Sequence, residues 1–204
     1  VRVSQPTGDF VPLRIRAKGW ATRYFSGPIA RALVAMHLSA NAITTIGFFV
    51  SVGSAYLLSE GELVIGGIVM LGGAIMDMFD GAVARLTGKA TPFGAFWDSV
   101  LDRLGEAVVL FGLLVYYIRD DNELGAFLAF GTVVLSIMVS YSRARAEGLD
   151  VPGDVGIMGR PERIVVMGIG LLAKYPQYAM GVIMAVSAVT IAQRTAHVWR
   201  NADH

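Results

Sequence analysis

The chain is predicted to be an all-α integral membrane protein of six transmembrane helices preceded by an amphipathic interfacial helix, and three observations lead there. Hydrophobic residues fill 54% of its 204 positions, the mean hydropathy is +0.57, and long apolar runs alternate with short clusters of turn-forming residues. With only 16% charged residues, the chain is too apolar for an ordinary soluble core, and a bilayer serves as its solvent. No cysteine is present, which excludes disulfides, thiolate chemistry and cysteine-based zinc or iron–sulfur sites.

Residues 1–11 read as an N-terminal tail and residues 12–204 as one domain. The segment 12–36 mixes Arg14, Arg16, Lys18, Arg23 and Arg31 with Trp20, Tyr24, Phe25 and Leu33, the pattern of a helix lying in the membrane interface. Spans are expected at 41–58, 62–84, 94–118, 124–144, 161–174 and 178–197, the fifth being the shortest. Between them fall Ser59-Glu60-Gly61-Glu62, Asp120-Asp121-Asn122-Glu123, Pro152-Gly153-Asp154 and Lys174-Tyr175-Pro176, all rich in helix breakers or charge. Threading six spans places 14 of the 17 Lys and Arg residues on one side. Arg119 and Lys174 lie opposite, and Arg103 is within a span. By the positive-inside rule both termini face the cytoplasm of a multi-pass cell-membrane protein. Glycines inside the spans, among them Gly66, Gly67, Gly105 and Gly112, allow helix backbones to approach closely.

The chemistry concentrates in Asp77-Met-Phe-Asp80-Gly81-Ala-Val-Ala84-Arg85 and Gly94-Ala-Phe-Trp-Asp98-Ser-Val-Leu-Asp102-Arg103. Asp77 and Asp80 are three residues apart and Asp98 and Asp102 four apart, so each pair projects from one helix face. An ionised carboxylate within a bilayer costs about 2.5–3.5 kcal/mol, so four uncompensated ones cost on the order of 10 kcal/mol, comparable to the stability of a whole domain. A salt-bridge network with Arg85 and Arg103 is one means of neutralising them, but it leaves four acids against two cations. Divalent cations fit better. An all-oxygen donor set, in a chain whose His37, His197 and His204 are too dispersed to join it, selects Mg²⁺ or Mn²⁺ over Zn²⁺. Four carboxylates from two facing helices suit two ions about 4 Å apart, the arrangement that clamps both oxygens of a phosphoryl displacement. Gly81 and Ala84 lack side-chain bulk, so a pyrophosphate can approach the helix there, facing Arg85.

The complete run D-x-x-D-G-x-x-A-R, eight residues, then G-x-x-x-D-x-x-x-D, spanning Asp77 to Asp102, resembles the signature of the CDP-alcohol phosphotransferases. The resemblance implies six transmembrane helices around a polar cavity open to the cytoplasm, assembled as a homodimer in the lipid bilayer. It also implies two Mg²⁺ or Mn²⁺ ions held by Asp77, Asp80, Asp98 and Asp102, with Asp102 doubling as general base. Gly81, Arg85 and Thr91 would hold the CDP moiety of CDP-diacylglycerol. The segment Leu38-Ser-Ala-Asn41-Ala42-Ile43-Thr44-Thr45 resembles the family's L-T/S-P-N-x-x-T element, which contributes to the nucleotide pocket; here Ala40 replaces the usual proline.

The acceptor has to be read from the remaining cytoplasmic residues. Arg143 and Arg145 end the fourth span, Arg160 and Arg163 begin the fifth, and Arg194 lies near the end of the sixth. Any of them can anchor topology; together they suit a phosphorylated acceptor, because guanidinium groups bind phosphate in bidentate fashion. The combination of Tyr141-Ser-Arg143-Ala-Arg145-Ala-Glu147-Gly148 with Gly159-Arg160-Pro161-Glu162-Arg163 resembles the phosphatidylinositol phosphate synthases of actinobacteria. That resemblance implies transfer of the phosphatidyl group to inositol 1-phosphate with release of CMP. Arg143, Arg160, Arg163 and Arg194 would hold the acceptor phosphate, with Arg145 and Lys89 as further candidates. The alternative is a phosphatidylglycerophosphate synthase, which takes glycerol 3-phosphate; that group commonly carries Pro after the third acid and Lys after the fourth, where this chain has Ser99 and Arg103. A cation transporter would also place acids inside helices but needs access from both faces. Nothing in the pattern calls for nucleic acid.

Overall fold

Turn chemistry sets the helix boundaries. The computed structural model describes Val34, residues 38–88 and residues 90–201; the tail 1–11, the expected interfacial helix apart from Val34, and Lys89 lie outside the described residues. Six helices follow: α1 (Ala40–Ser59), α2 (Leu63–Thr87), α3 (Pro92–Arg119), α4 (Glu123–Glu147), α5 (Arg160–Leu172) and α6 (Pro176–Asn201). Among the described residues there is no strand. Side-chain caps begin three of them: Ser39 accepts from the Ala42 N–H (3.2 Å), Thr91 from Gly94 (3.0 Å) and Asn122 from Gly125 (2.8 Å). At the start of α5, Glu162 accepts the N–H of Gly159 at 3.0 Å, and Pro161 supplies a preset φ where no backbone donor is needed. Left-handed residues reverse the chain at Gly61 (φ 84°) and Gly88 (φ 63°).

Four helices, α1, α2, α4 and α6, are long and apolar enough to cross a membrane by length and composition. At 28 residues α3 has the length, but it carries Asp98, Asp102, Arg103 and Glu106. The 13 residues of α5 rise only about 20 Å, short of a hydrocarbon core of about 30 Å. The outer surface is unlike that of a soluble bundle: Phe49, Ile68, Phe111, Phe127, Phe130 and Ile169 are all at least half exposed. An apolar exterior on this scale requires lipid, and the protein is a membrane protein.

The helices pack as a closed ring. α1 lies on α2 and α3, α3 on α4, α4 on α6, α6 on α5, and α5 returns to α2. Small residues allow the closest approaches: a Cβ on Gly112 of α3 would collide with the backbone of Ala55 in α1, and one on Gly125 with the ring of Tyr117. Leu58, Leu113, Leu171 and Met180, all fully buried, fill the interior at the end away from the α2–α3 loop.

Between the helices lies a cleft of about 500 Å³ including its open mouth, to which every helix contributes lining side chains. Its character changes along its length. Met70, Val109, Leu110, Met167 and Ile183 make one part apolar, while Asp77, Glu106, Arg160 and Arg163 collect at the part nearer the α2–α3 loop.

Candidate active site

The α2–α3 hairpin brings two acidic helix faces together. Asp77 and Asp80 leave α2 less than one turn apart, and Asp98 and Asp102 leave α3 one turn apart. The four carboxylates are close enough to act on one another electrostatically. Asp80 is only 6% exposed. Its Oδ2 accepts the Thr44 hydroxyl at 2.7 Å, and its Oδ1 accepts the N–H of Gly81. Thr44 in turn is fixed on α1 by donating to the Ala40 carbonyl at 3.0 Å. Gly47 makes room for Asp77: a Cβ there would stand 2.8 Å from Asp77 Oδ1.

The cation facing these acids comes from α5. Arg160 places Nη2 2.7 Å from Asp77 Oδ2 and Nη1 2.7 Å from Asp102 Oδ2. Arg85 and Arg103, the cations weighed as an alternative to metal ions, make neither bridge. Arg103 curls back one turn to the Ser99 carbonyl, and Arg85 lies over Gly81, where its Nη1 would be 3.3 Å from a Cβ. Among the described residues no three acidic or histidine side chains close on a common point, because Arg160 stands between Asp77 and Asp102. One guanidinium against four carboxylates leaves an acidic excess, and every donor atom in the cluster is oxygen. That donor set fits hard divalent cations and is unsuited to soft metals.

Beside the cluster lies a second cleft, of about 630 Å³ including its open mouth. Asn41, Thr44, Gly81, Arg85 and Thr91, all expected to hold the nucleotide, line it together with Asp80 and Asp98. The neighbouring candidates Ala42, Ile43 and Thr45 face elsewhere. Ile43 is buried at 1% exposure against Ala82 and Val83, the Ala42 N–H serves the Ser39 cap, and Thr45 accepts the Trp97 indole N–H at 3.2 Å. Trp97 is thus tied to α1, with its ring stacked on Phe93 at 6.0 Å.

The four acceptor arginines separate into distinct environments. Arg160 and Arg163 both line the central cavity. Arg163 is 2% exposed and makes a bidentate pair with Glu106, Nε to Oε1 at 2.6 Å and Nη2 to Oε2 at 2.8 Å. Arg194, also buried, donates to the Val139 carbonyl, to Ser142 Oγ (3.0 Å) and to the Val155 carbonyl (3.2 Å). It thereby ties α6 to the end of α4 and to the loop after it. Arg143 is exposed and pairs with Glu147 one turn later at 2.9 Å, and Arg145 is exposed as well.

Glu106 and Gly47 escaped the sequence reading. Glu106 stood in plain view, extending the Asp98–Asp102 stripe by one further turn. Gly47 had no such signal, because its role is a contact between helices.

The CDP-alcohol phosphatidyltransferase family model matches residues 37–193, three quarters of the chain, and takes in the four aspartates, the residues lining the second cleft, Glu106, Arg160 and Arg163. The chain belongs to this family. Among similar proteins, the archaetidylinositol phosphate synthase of Pyrococcus horikoshii is 37% identical over 169 residues, covering 81% of this chain and 86% of the relative. The phosphatidylinositol phosphate synthase of Mycobacterium marinum is 35% identical over 187 residues, covering 85% and 79%. In three dimensions this CDP-alcohol phosphatidyltransferase resembles the phosphatidylinositol phosphate synthase of Mycobacterium tuberculosis crystallised with manganese and citrate. The TM-score is 0.80 at 32% identity, over 86% of this chain and 89% of that one. The same enzyme with CDP-DAG bound gives 0.79, over 86% and 94%. The family consists of phospholipid-synthesising membrane transferases, and the chain is an enzyme of that kind.

Proposed function

We propose that the chain transfers the phosphatidyl group of CDP-diacylglycerol to inositol 1-phosphate, giving phosphatidylinositol phosphate and CMP. The observation that carries this reading is the position of Arg160, in contact with both Asp77 and Asp102. A guanidinium held there puts an anion-binding group beside the reacting centre. An acceptor phosphate gripped by Arg160, with Arg163 behind it, leaves a ring hydroxyl next to the candidate base. A neutral alcohol has no use for two arginines in its pocket. The names of the relatives point the same way: the archaeal and mycobacterial proteins differ in the lipid they carry but share an inositol phosphate product.

Asp77, Asp80, Asp98 and Asp102 would hold two divalent ions, Mg²⁺ or Mn²⁺. These would supply positive charge against the pyrophosphate as it divides. Manganese in the related crystal structure supports a divalent metal. The cytidine diphosphate would lie in the cleft lined by Asn41, Thr44, Gly81 and Thr91, with Arg85 facing its phosphates. Asp102 takes the proton of the acceptor hydroxyl, whose oxygen attacks the lipid-side phosphorus. The bond from that phosphorus to the bridging oxygen breaks, and CMP leaves with that oxygen. Arg160 has to give up part of its hold on Asp102 for this transfer, and the acceptor phosphate is the anion that draws it away. The distribution of Lys and Arg supports cytoplasmic termini and a cytoplasmic site in a six-span, multi-pass domain covering residues 12–204, and homodimerisation follows from the family resemblance.

CMP release by the purified protein in lipid nanodiscs, with CDP-diacylglycerol and each of inositol 1-phosphate, glycerol 3-phosphate and free inositol, tests the assignment. Inositol 1-phosphate is expected to give the highest kcat/KM. Preference for glycerol 3-phosphate would make the chain a phosphatidylglycerophosphate synthase, and preference for free inositol would remove the phosphate-binding role of the arginines.

A further inference from the structure

Arg163 is an unusual place for a charge. It is 2% exposed, and Glu106 engages only its Nε and Nη2 edge. Its Nη1 is buried without a partner, as is Nε of Arg160 in the same cavity wall. A buried guanidinium donor without an acceptor is costly enough that such atoms ordinarily find one. Both residues line the cleft shared with Asp77, where a ligand oxygen reaching these donors would satisfy them.

The orientation of Arg163 is therefore set by a single group. A carboxylate accepting two parallel N–H bonds fixes the guanidinium plane, and with it the direction of the remaining donors. We propose that Glu106 is the positioning residue of the acceptor site, aligning Arg163 so that its free Nη1 edge grips a phosphorylated acceptor. This rests on the reading of the acceptor as a phosphorylated alcohol. Two effects of neutralising Glu106 compete. Removing a negative charge near a phosphate favours binding. Replacing the carboxylate by an amide, however, sets an NH₂ against one of the Arg163 donors, which expels the guanidinium from its plane. In a buried site the misdirected donor dominates, since charge-assisted hydrogen bonds depend steeply on geometry.

The experiment is steady-state CMP release by the full chain in nanodiscs, for the wild type, Glu106→Gln and Glu106→Asp, with inositol 1-phosphate and with free inositol. Thermal melting is measured in parallel. For Glu106→Gln the KM for inositol 1-phosphate is expected to rise about tenfold or more, the weight of one charge-assisted hydrogen bond. The kcat at saturating acceptor and the KM for CDP-diacylglycerol should stay within about twofold by the same scale. Glu106→Asp, which keeps both acceptor oxygens, should recover a large part of the loss. An unchanged or lowered acceptor KM in Glu106→Gln overturns the proposal, as does an equal loss for both substrates, which marks a purely structural ion pair. Should Glu106→Gln fail to fold, Glu106→Asp decides alone: its acceptor KM rises selectively, or the proposal falls. A wild type that prefers free inositol refutes the phosphorylated-acceptor reading itself, whatever the variants do.

Discussion

Asp102 holds one carboxylate oxygen 2.7 Å from Arg160, which itself lines the central cleft. As the proposed proton acceptor it should be indispensable. Asp102→Asn is expected to cut CMP release by about 10²–10⁴-fold, the ordinary span of general-base catalysis, while the protein melts at a similar temperature. Gly47 makes a sharper steric prediction. A methyl group at this position meets Asp77 Oδ1 at 2.8 Å, so Gly47→Ala should push that carboxylate out of line and raise the Mn²⁺ concentration needed for half-maximal activity. Arg194, expected to bind the acceptor, directs three of its five donors to Val139, Ser142 and Val155. Arg194→Ala should therefore lower the melting temperature by several degrees, with about 1–3 kcal/mol lost as the hydrogen bonds tying α6 to α4 and to the following loop are removed.

What was legible at this scale follows from how information is stored in a chain. The clustering of the aspartates could be read because it depends on spacing along single helices, and the shared cleft of Gly81, Arg85 and Thr91 because they belong to the same short run. Arg160 was singled out by charge, but its contact with Asp77, 83 residues earlier, is a product of ring closure. The division of the four arginines into two lining the cavity, one lock and one surface pair depends on helix rotation, which local periodicity does not fix to better than a fraction of a turn.

Between helices, the decisive interactions are backbone approaches. Gly112 of α3 lies so close to Ala55 of α1 that a side chain would meet the α1 backbone, and these two helices carry Thr44 on one side of the site and Asp98 and Asp102 on the other. Gly112→Ala should force them apart, at a cost of about 1–3 kcal/mol for overpacking, and show as a lowered melting temperature with activity lost in step. Helix ends were anticipated within about three residues because caps and prolines mark them: Ser39, Thr91 and Asn122 are all side-chain caps. Membrane crossing was harder to read for α3 and α5. The acids and arginines that make them functional also make them poor spans by composition, and the 13 residues of α5 leave its outer end within the thickness of the bundle.

For the molecule as a whole, the ring of six helices explains why the acids can persist in an apolar protein. Arg160 and Arg163 enter from α5, the shortest of the described helices, whose amino end adds its dipole to their charge; Arg160 faces acids from α2 and α3, and Arg163 faces Glu106 of α3. The apolar exterior faces lipid and the charges face one another across the cavity. The remaining acidic excess is the requirement that divalent ions would meet, and everything proposed for the reaction depends on their doing so. Anomalous diffraction from crystals grown with Mn²⁺ measures this directly. Manganese peaks are expected among Asp77, Asp80, Asp98 and Asp102, with Arg160 withdrawn from at least one of its two carboxylates. Crystals without such peaks, in which Arg160 still bridges Asp77 and Asp102, would contradict the account.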